Sequence, residues 1–276
     1  MPDLPPLEHC SKIVESILCP PFEWRPVTGG LVILEDASRY GGTAGGPVQV
    51  ADFAMAKYPI TNAQYEKFLD NVNGFTNLQW WDFSAEAMQW RKDHANPKPS
   101  AFQGSNLPRT RVSWFDAIAF CGWLSAEFRD HLTNATPLGG RAPCAWDIRL
   151  PTEGEWQRAA LGDTGWCYPW GDTLDEDRAN HAGYVGQPSQ VGKYPDGQSV
   201  YGVMDMIGNV WEWCQSGWNQ ADTDLRGYVP RVIKGGAWNV SKADYLRAND
   251  RGAWPPRGRL NDCGFRSLLG PWVESH

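Results

Sequence analysis

No two cysteines stand in Cys-x-x-Cys spacing, and no two histidines in His-x-x-x-His spacing. The seven cysteines (Cys10, Cys19, Cys121, Cys144, Cys167, Cys214 and Cys263) are an odd set at wide intervals, with no histidine cluster beside them. That argues against a zinc framework and for scattered core thiols in a reducing compartment. The five histidines, His9, His94, His131, His181 and His276, are also far apart, and each reads as a surface or internally satisfied residue. There is no Lys/Arg run, and the net charge of −7 supplies no basic surface for phosphate, so nucleic acid is excluded as a main partner. No apolar stretch approaches the length of a membrane span. The segment Met1-Pro-Asp-Leu-Pro-Pro-Leu-Glu8 has neither the basic region nor the apolar run of a signal peptide. These absences predict a cytoplasmic protein with no membrane partner.

What the chain has instead is 16 Trp and 29 Gly in 276 residues. That mix predicts many loops and turns pinned by large aromatic anchors rather than long helices with leucine seams. The length is ample for a buried core. A short helix is predicted from His9 to Leu18, ended by Pro20-Pro21. It lies in an N-terminal arm (1–22) packed on the outside of the domain proper (23–276). Leu31-Val-Ile-Leu34 reads as a buried strand, and Val48 to Phe53 as a second extended segment. Between them, Gly41-Gly-Thr-Ala-Gly-Gly46 lacks the Lys-Ser/Thr of a phosphate loop and reads as a hairpin turn.

Three helices carry start signals. Thr61 with Gln64, Ser113 with Asp116, and Thr152 with Glu155 each have capping-box spacing. The second runs to about Phe128. Residues 71–110 read as a long insertion with one short helix near Ala85–Arg91. Helices early and short strands late predict a single α+β domain with little regular secondary structure.

One stretch organises the rest, Tyr201-Gly-Val-Met-Asp-Met-Ile-Gly-Asn-Val-Trp-Glu-Trp-Cys214. Its first half is apolar enough to bury. Gly208-Asn209 suits positive φ and a sharp turn. Beyond the turn, a strand would put Trp211 and Trp213 on one side and Glu212 on the other. Such a place suits a hard cation or a tight structural node.

Several signatures occur in one order: Tyr58-Pro-Ile-Thr-Asn-Ala-Gln-Tyr65, Pro108-Arg-Thr-Arg-Val-Ser-Trp-Phe-Asp-Ala117, Arg149-Leu-Pro-Thr-Glu-Gly-Glu-Trp-Gln-Arg-Ala159, and Tyr168-Pro-Trp-Gly-Asp172. The series continues with Tyr201–Trp213, Arg231-Val-Ile-Lys-Gly-Gly-Ala-Trp238 and Gly264-Phe-Arg266. The ordered set, over roughly residues 25–270, resembles the formylglycine-generating enzyme (sulfatase-modifying factor) family. The resemblance implies a compact domain of the C-type-lectin type. It covers oxygen-dependent formylglycine-forming enzymes, relatives of an iron-dependent sulfoxide synthase, pyoverdine-maturation proteins, silent paralogues, and variable binding proteins of diversity-generating retroelements. Fold does not choose among these.

The resemblance also implies sites. The enzymes' two copper-binding cysteines correspond to Val240 and Tyr245, neither of which supplies a thiolate. The iron-binding histidines have no counterpart, so neither copper nor iron is expected. Cys263 falls at an apolar core position. A structural Ca²⁺ would take the Asp205 side chain, the carbonyls of Gly208 and Val210, and the Glu212 carboxylate, an oxygen set of suitable type. The competing assignment pairs Glu212 with an arginine.

The remaining candidate surface lies between Ala237 and Asp262. Its expected ligand-binding residues are Val240, Lys242, Asp244, Tyr245, Asn249 and Asp250, followed by Trp254, Arg257, Arg259, Asn261 and Asp262. Mixed aromatic, arginine and amide chemistry suits recognition of a protein or small molecule. In retroelement-diversified relatives, variable positions occupy this part of the chain, although adenine mutagenesis of Asn codons does not yield Trp254 or Lys242. Arg247 and Arg266 are expected to tie loops together, while Tyr245, Trp254 and Arg257 are exposed. The sequence therefore favours a non-catalytic binding module. An oxidoreductase with an altered site and a docking subunit are the alternatives.

Overall fold

The computed structural model describes residues 6–135, 146–219 and 223–271, with side chains at 133–135 excepted; Cys144 and His276 lie outside the described residues. Helix α1 (Leu7–Leu18) leads into strand β1 (Trp24–Val27) and the hairpin β2 (Gly30–Leu34) and β3 (Gly46–Val50). Strand β4 (Phe53–Ala56) follows, then helices α2 (Asn62–Asp70), α3 (Ala85–Asp93) and α4 (Trp114–Ala135). After β5 (Trp146–Arg149) and α5 (Glu153–Leu161) comes a run dominated by loops. It holds β6 (Trp211–Gly217), β7 (Arg231–Lys234), β8 (Gly252–Trp254), β9 (Cys263–Gly264) and β10 (Leu268–Pro271).

Local chemistry explains the helix starts. Thr61 accepts from the Gln64 amide while the Gln64 side chain accepts from the Thr61 amide, and Thr152 and Glu155 do the same. Ser113 and Asp116 exchange the same pair of bonds. Each box satisfies N–H groups that a helix start otherwise leaves unpaired. Helix α4 continues to Ala135, beyond the predicted end near Phe128, because no glycine or proline interrupts 123–135.

The main sheet has the order β1-β4-β10-β5, so the penultimate segment of the chain is threaded between strands far from it in sequence. Both faces of this sheet are covered. Ala54, Ala56, Ile148 and Leu269 face a cluster built on α1, α2 and α4. Phe53, Met55 and Leu268 face a second cluster that includes Trp156 and Ala160 of α5. This explains why all four residues of β4 are buried rather than alternating. Helix α1 contributes Cys10, Ile13, Val14 and Leu18 to the first cluster, and Ser11 Oγ accepts from the Trp24 amide at 2.9 Å. The helix begins at Leu7, two residues before the predicted start.

Strands β2 and β3 form a separate two-stranded sheet. Only Val32 of the expected buried run is buried; Leu31 and Ile33 are 57% and 59% exposed. The hairpin rests one face on α5, where Gln157 donates to the Ile33 carbonyl at 2.9 Å, and leaves the other face open. The run was hydrophobic enough to suggest burial, but this small sheet is covered on one side only.

The third sheet, β8-β7-β6-β9, carries the organising stretch. Gly208 and Asn209 take φ of 70° and 63°, and a Cβ at 208 would lie 2.2 Å from the Asn180 carbonyl. Trp213 is buried in the first cluster and Trp211 packs against it, whereas the neighbours of Glu212 include Trp156 of the second. The predicted separation of indoles from carboxylate is therefore the observed one.

Candidate functional site

Glu212 is fully buried, and its carboxylate is taken by three donors. Arg266 Nη2 reaches Oε1 at 2.6 Å, while Arg266 Nε and Trp156 Nε1 both reach Oε2 at 2.7 Å. Arg266 is equally saturated. Its Nη1 donates to the carbonyls of Ala56 and Lys57, and its Nη2 to those of Met204 and Asp205. One guanidinium thus binds the end of β4, the 204–205 segment and β6 through charge-assisted bonds.

Both carboxylates expected to hold Ca²⁺ are engaged by donors of the protein itself. Three donors leave Glu212 at most about one free lone-pair direction of its four. Asp205, held at φ 56°, accepts from the Gly192 amide at 2.7 Å and from Asn209 Nδ2 at 3.5 Å. Burial pushes the Asp205 pKa up to about 6, against the pull of the Gly192 hydrogen bond and Arg266. Among the described residues no three His, Cys, Asp or Glu side chains are placed to hold a metal.

The C-terminal stretch begins at Gly235-Gly236, where φ is 91° and 73°. Cβ atoms there would lie 2.7 Å from the Met206 carbonyl and 2.5 Å from Leu246, so the turn out of β7 requires glycine. Beyond it the expected residues divide. Lys242, Asp244, Tyr245, Trp254, Arg257 and Asn261 are exposed. Lys242 lies over the Tyr245 ring at 5.4 Å, Arg257 over Tyr228 at 4.5 Å, and Asn261 accepts from Arg111 Nε at 2.7 Å.

The others are half-buried. Asn249 donates to Glu35 at 2.6 Å, the Asp250 carbonyl accepts from the buried Lys234 at 2.6 Å, and Asp262 accepts from Asn239 at 3.0 Å. Arg259 pairs with Asp116 at 3.1 Å and covers the Trp90 ring at 4.8 Å. Val240 is half-buried and packs on the second cluster. Arg247 pairs with Glu35 at 3.2 Å, the expected tying role. Arg251, absent from the expected ligand set, is the most heavily engaged. It grips Glu153 through two bonds of 2.6 and 2.8 Å and donates to the Glu35 and Thr43 carbonyls. A run of Asn, Asp and Arg gives no clue to which members point inward, because the sorting depends on residues 35, 43 and 153.

The cysteines show no pair near this stretch among the described residues. Cys10, Cys121, Cys214 and Cys263 are buried, and Cys19 and Cys167 are half-buried. Burial raises the pKa values of Cys121, Cys214 and Cys263, which keeps them protonated and weakly reactive. Cys263 at 0% exposure is the core residue expected.

A further concavity lies beside the C-terminal stretch. It has a volume of ≈ 630 Å³, runs along residues 170–178 and is floored by His181. The loop after His181 is fastened to the stretch, with Ala182 N–H donating to the Val240 carbonyl at 2.8 Å and Gly183 N–H to that of Trp238 at 2.7 Å. In the sequence His181 is an isolated histidine that no local pattern marks.

Residues 25–269 match the sulfatase-modifying factor enzyme 1-like domain family. A hercynine oxygenase of Mycobacterium tuberculosis is 31% identical over 79% of this chain and 53% of its own length. The chain therefore spans about half the length of that relative. An inactive C-alpha-formylglycine-generating enzyme 2 of Bos taurus is 28% identical over 88% of this chain and 86% of its own. Among solved structures, Treponema denticola variable protein 1 superimposes with a TM-score of 0.63 at 22% identity, covering 91% of this chain and 95% of that one. PvdO from Pseudomonas aeruginosa does so with 0.59 at 18% identity, covering 90% and 94%. These likenesses of structure establish the fold.

Proposed function

The chain belongs to the sulfatase-modifying factor enzyme 1-like family, and within it we propose that it is a non-catalytic binding module, displaying the exposed residues between Val240 and Asn261 to a protein or small-molecule ligand. One observation carries the reading. The positions matching the family's copper-binding cysteines hold Val240, packed on the core, and Tyr245, 48% exposed. A valine and a phenol provide neither the soft ligands nor the redox-active thiol that the oxygen chemistry needs.

The scaffold suits display. Behind the exposed residues, Arg251–Glu153, Arg259–Asp116 and Asn249–Glu35 hold the backbone. Side chains on such a frame can change without unfolding it. Tyr245, Trp254 and Arg257 are of the residue types enriched where binding energy concentrates. Arg266 serves the same frame through its two bonds to the Glu212 carboxylate.

Sequencing the gene across natural isolates tests the reading. Substitutions should concentrate at Lys242, Asp244, Tyr245, Trp254, Arg257 and Asn261, and spare Asn249, Asp250, Arg251 and Arg259. A neighbouring reverse transcriptase with a template repeat would place the surface in the retroelement-diversified class. Substitutions spread evenly over both sets would sink the idea of a displayed surface. An altered oxidoreductase is the second reading, favoured by the 31% identity to a protein named for an oxygenase.

A further inference from the structure

The cleft floored by His181 is lined by Asp172, Asp175, Glu176 and Asp177, against one guanidinium, Arg178. That guanidinium is already engaged, through Nε with Asp175 at 2.9 Å and through Nη1 with the Asp196 carbonyl at 2.8 Å. Asp172 accepts from the Cys167 amide at 3.0 Å and Asp175 from the Asp177 amide at 2.9 Å. Their oxygens are partly spent on shaping the loop, whereas Glu176 is exposed and its charge acts on His181.

His181 is the observation that makes this more than an acidic loop. The side chain is 6% exposed, and among the described residues neither ring nitrogen has a hydrogen-bond partner. A buried polar group left unpaired costs about 1–3 kcal/mol, so a ligand donor that reaches this ring from the cleft recovers that cost. The backbone holds it there. Ala182 has φ of 55°, unusual for a residue with a side chain, and is fixed by its bond to Val240. The Tyr184 ring meets the imidazole edge-on at 5.8 Å. Burial pushes the His181 pKa down, with Glu176 pulling it up, so the neutral ring offers one acceptor lone pair.

We propose that this cleft binds an organic cation, an alkylammonium or guanidinium group, with Glu176 as counter-charge and His181 as the hydrogen-bond acceptor at the floor. Trp170 supplies the apolar wall. Its ring is held by stacking on Tyr168 at 5.7 Å and by a bond from its indole N–H to the Thr173 carbonyl at 3.0 Å. An indole face attracts a cation and covers the methylene chain that carries it. A bare metal ion is the poorer match, since the acidic side chains here are not gathered into a ligand cluster. The site goes beyond the displayed surface and does not depend on it.

The test is a titration of the full chain with Nα-acetyl-lysine methylamide, its arginine counterpart and its neutral norleucine counterpart, following the His181 imidazole by nitrogen-15 NMR. Saturable binding of the two cationic probes, and no binding of norleucine, is the expected result. Glu176→Gln, at an exposed position, should weaken binding roughly tenfold, as for loss of a charge-assisted bond. His181→Phe should remove it, and Tyr245→Ala should leave it unchanged. A parallel titration with 1,5-diaminopentane separates a free amine from a peptide side chain, and tighter binding of either supports the site. Equal binding of norleucine, undiminished binding by Glu176→Gln, or a response to calcium chloride without one to the amines would overturn the proposal.

Discussion

Glu212 and Arg266, 54 residues apart in the chain, form a fully buried bidentate pair at 2.6 and 2.7 Å. The pair joins β6, which carries Glu212, to the short connection between β9 and β10, which carries Arg266. Its Nη groups also gather four backbone carbonyls from two further segments.

Removing one partner leaves the other as an uncompensated buried charge. Arg266→Leu and Glu212→Gln should each cost about 3–5 kcal/mol. Urea denaturation measures both. The double variant should cost less than the sum of the two, because the coupling is lost only once. Additive losses would show that the pair does not act as a unit.

If Arg266 is the cation of this node, chelation should not matter. Dialysis against EDTA should leave Tm unchanged within about a degree, where loss of a bound ion held at 100 times its Kd would cost about 2.7 kcal/mol. Metal analysis of the purified protein checks the same point. A drop in Tm that calcium alone restores would return Glu212 to the ligand role.

Asp205 gives a pH dependence of definite sign. Its pKa rises from 3.8 to about 6 on folding, so the folded state holds its proton more tightly than the unfolded chain. Its contribution is full below pH 3.8 and is lost as pH rises to about 6. Asp205→Asn should therefore stabilise the protein at pH 7 by about 1–2 kcal/mol, reduced from the full linkage value because the side chain is partly exposed. Melting curves at pH 4 and pH 7 should show the gain at pH 7 only.

The division within the C-terminal stretch predicts opposite responses to the same substitution. Tyr245→Ala and Trp254→Ala, at 48% and 44% exposure, should change stability by no more than about 0.5 kcal/mol. Arg251→Ala should cost about 3 kcal/mol or more, because Glu153 and Lys234 then share a buried site without it. Chemical denaturation of the three variants side by side reads this directly.

Some of this was legible in the sequence. The three capping boxes are local, with partner and partner three residues apart, and the alternation at Trp211-Glu212-Trp213 needs only strand geometry. Cys263 is in the core, and Tyr245, Trp254 and Arg257 are exposed, as their surroundings in the sequence predict. What failed to show depends on distant chain. Arg266 collects carbonyls from residues 56, 57, 204 and 205, which no spacing rule brings together. Leu31 and Ile33 looked like core because hydrophobicity reports what can be buried, not which face of a hairpin finds a neighbour. His181 resembles any isolated histidine until the fold closes over it without offering a partner.

The chain is proposed to bind rather than oxidise. The direct measurement is aldehyde formation on a Cys-x-Pro-x-Arg peptide, incubated with the full chain, copper and oxygen and followed by mass spectrometry. The account predicts no loss of the cysteine thiol to aldehyde above the rate with copper alone, because Val240 and Tyr245 stand where two thiolates are needed. Sustained, enzyme-dependent conversion of the peptide cysteine to formylglycine would contradict it.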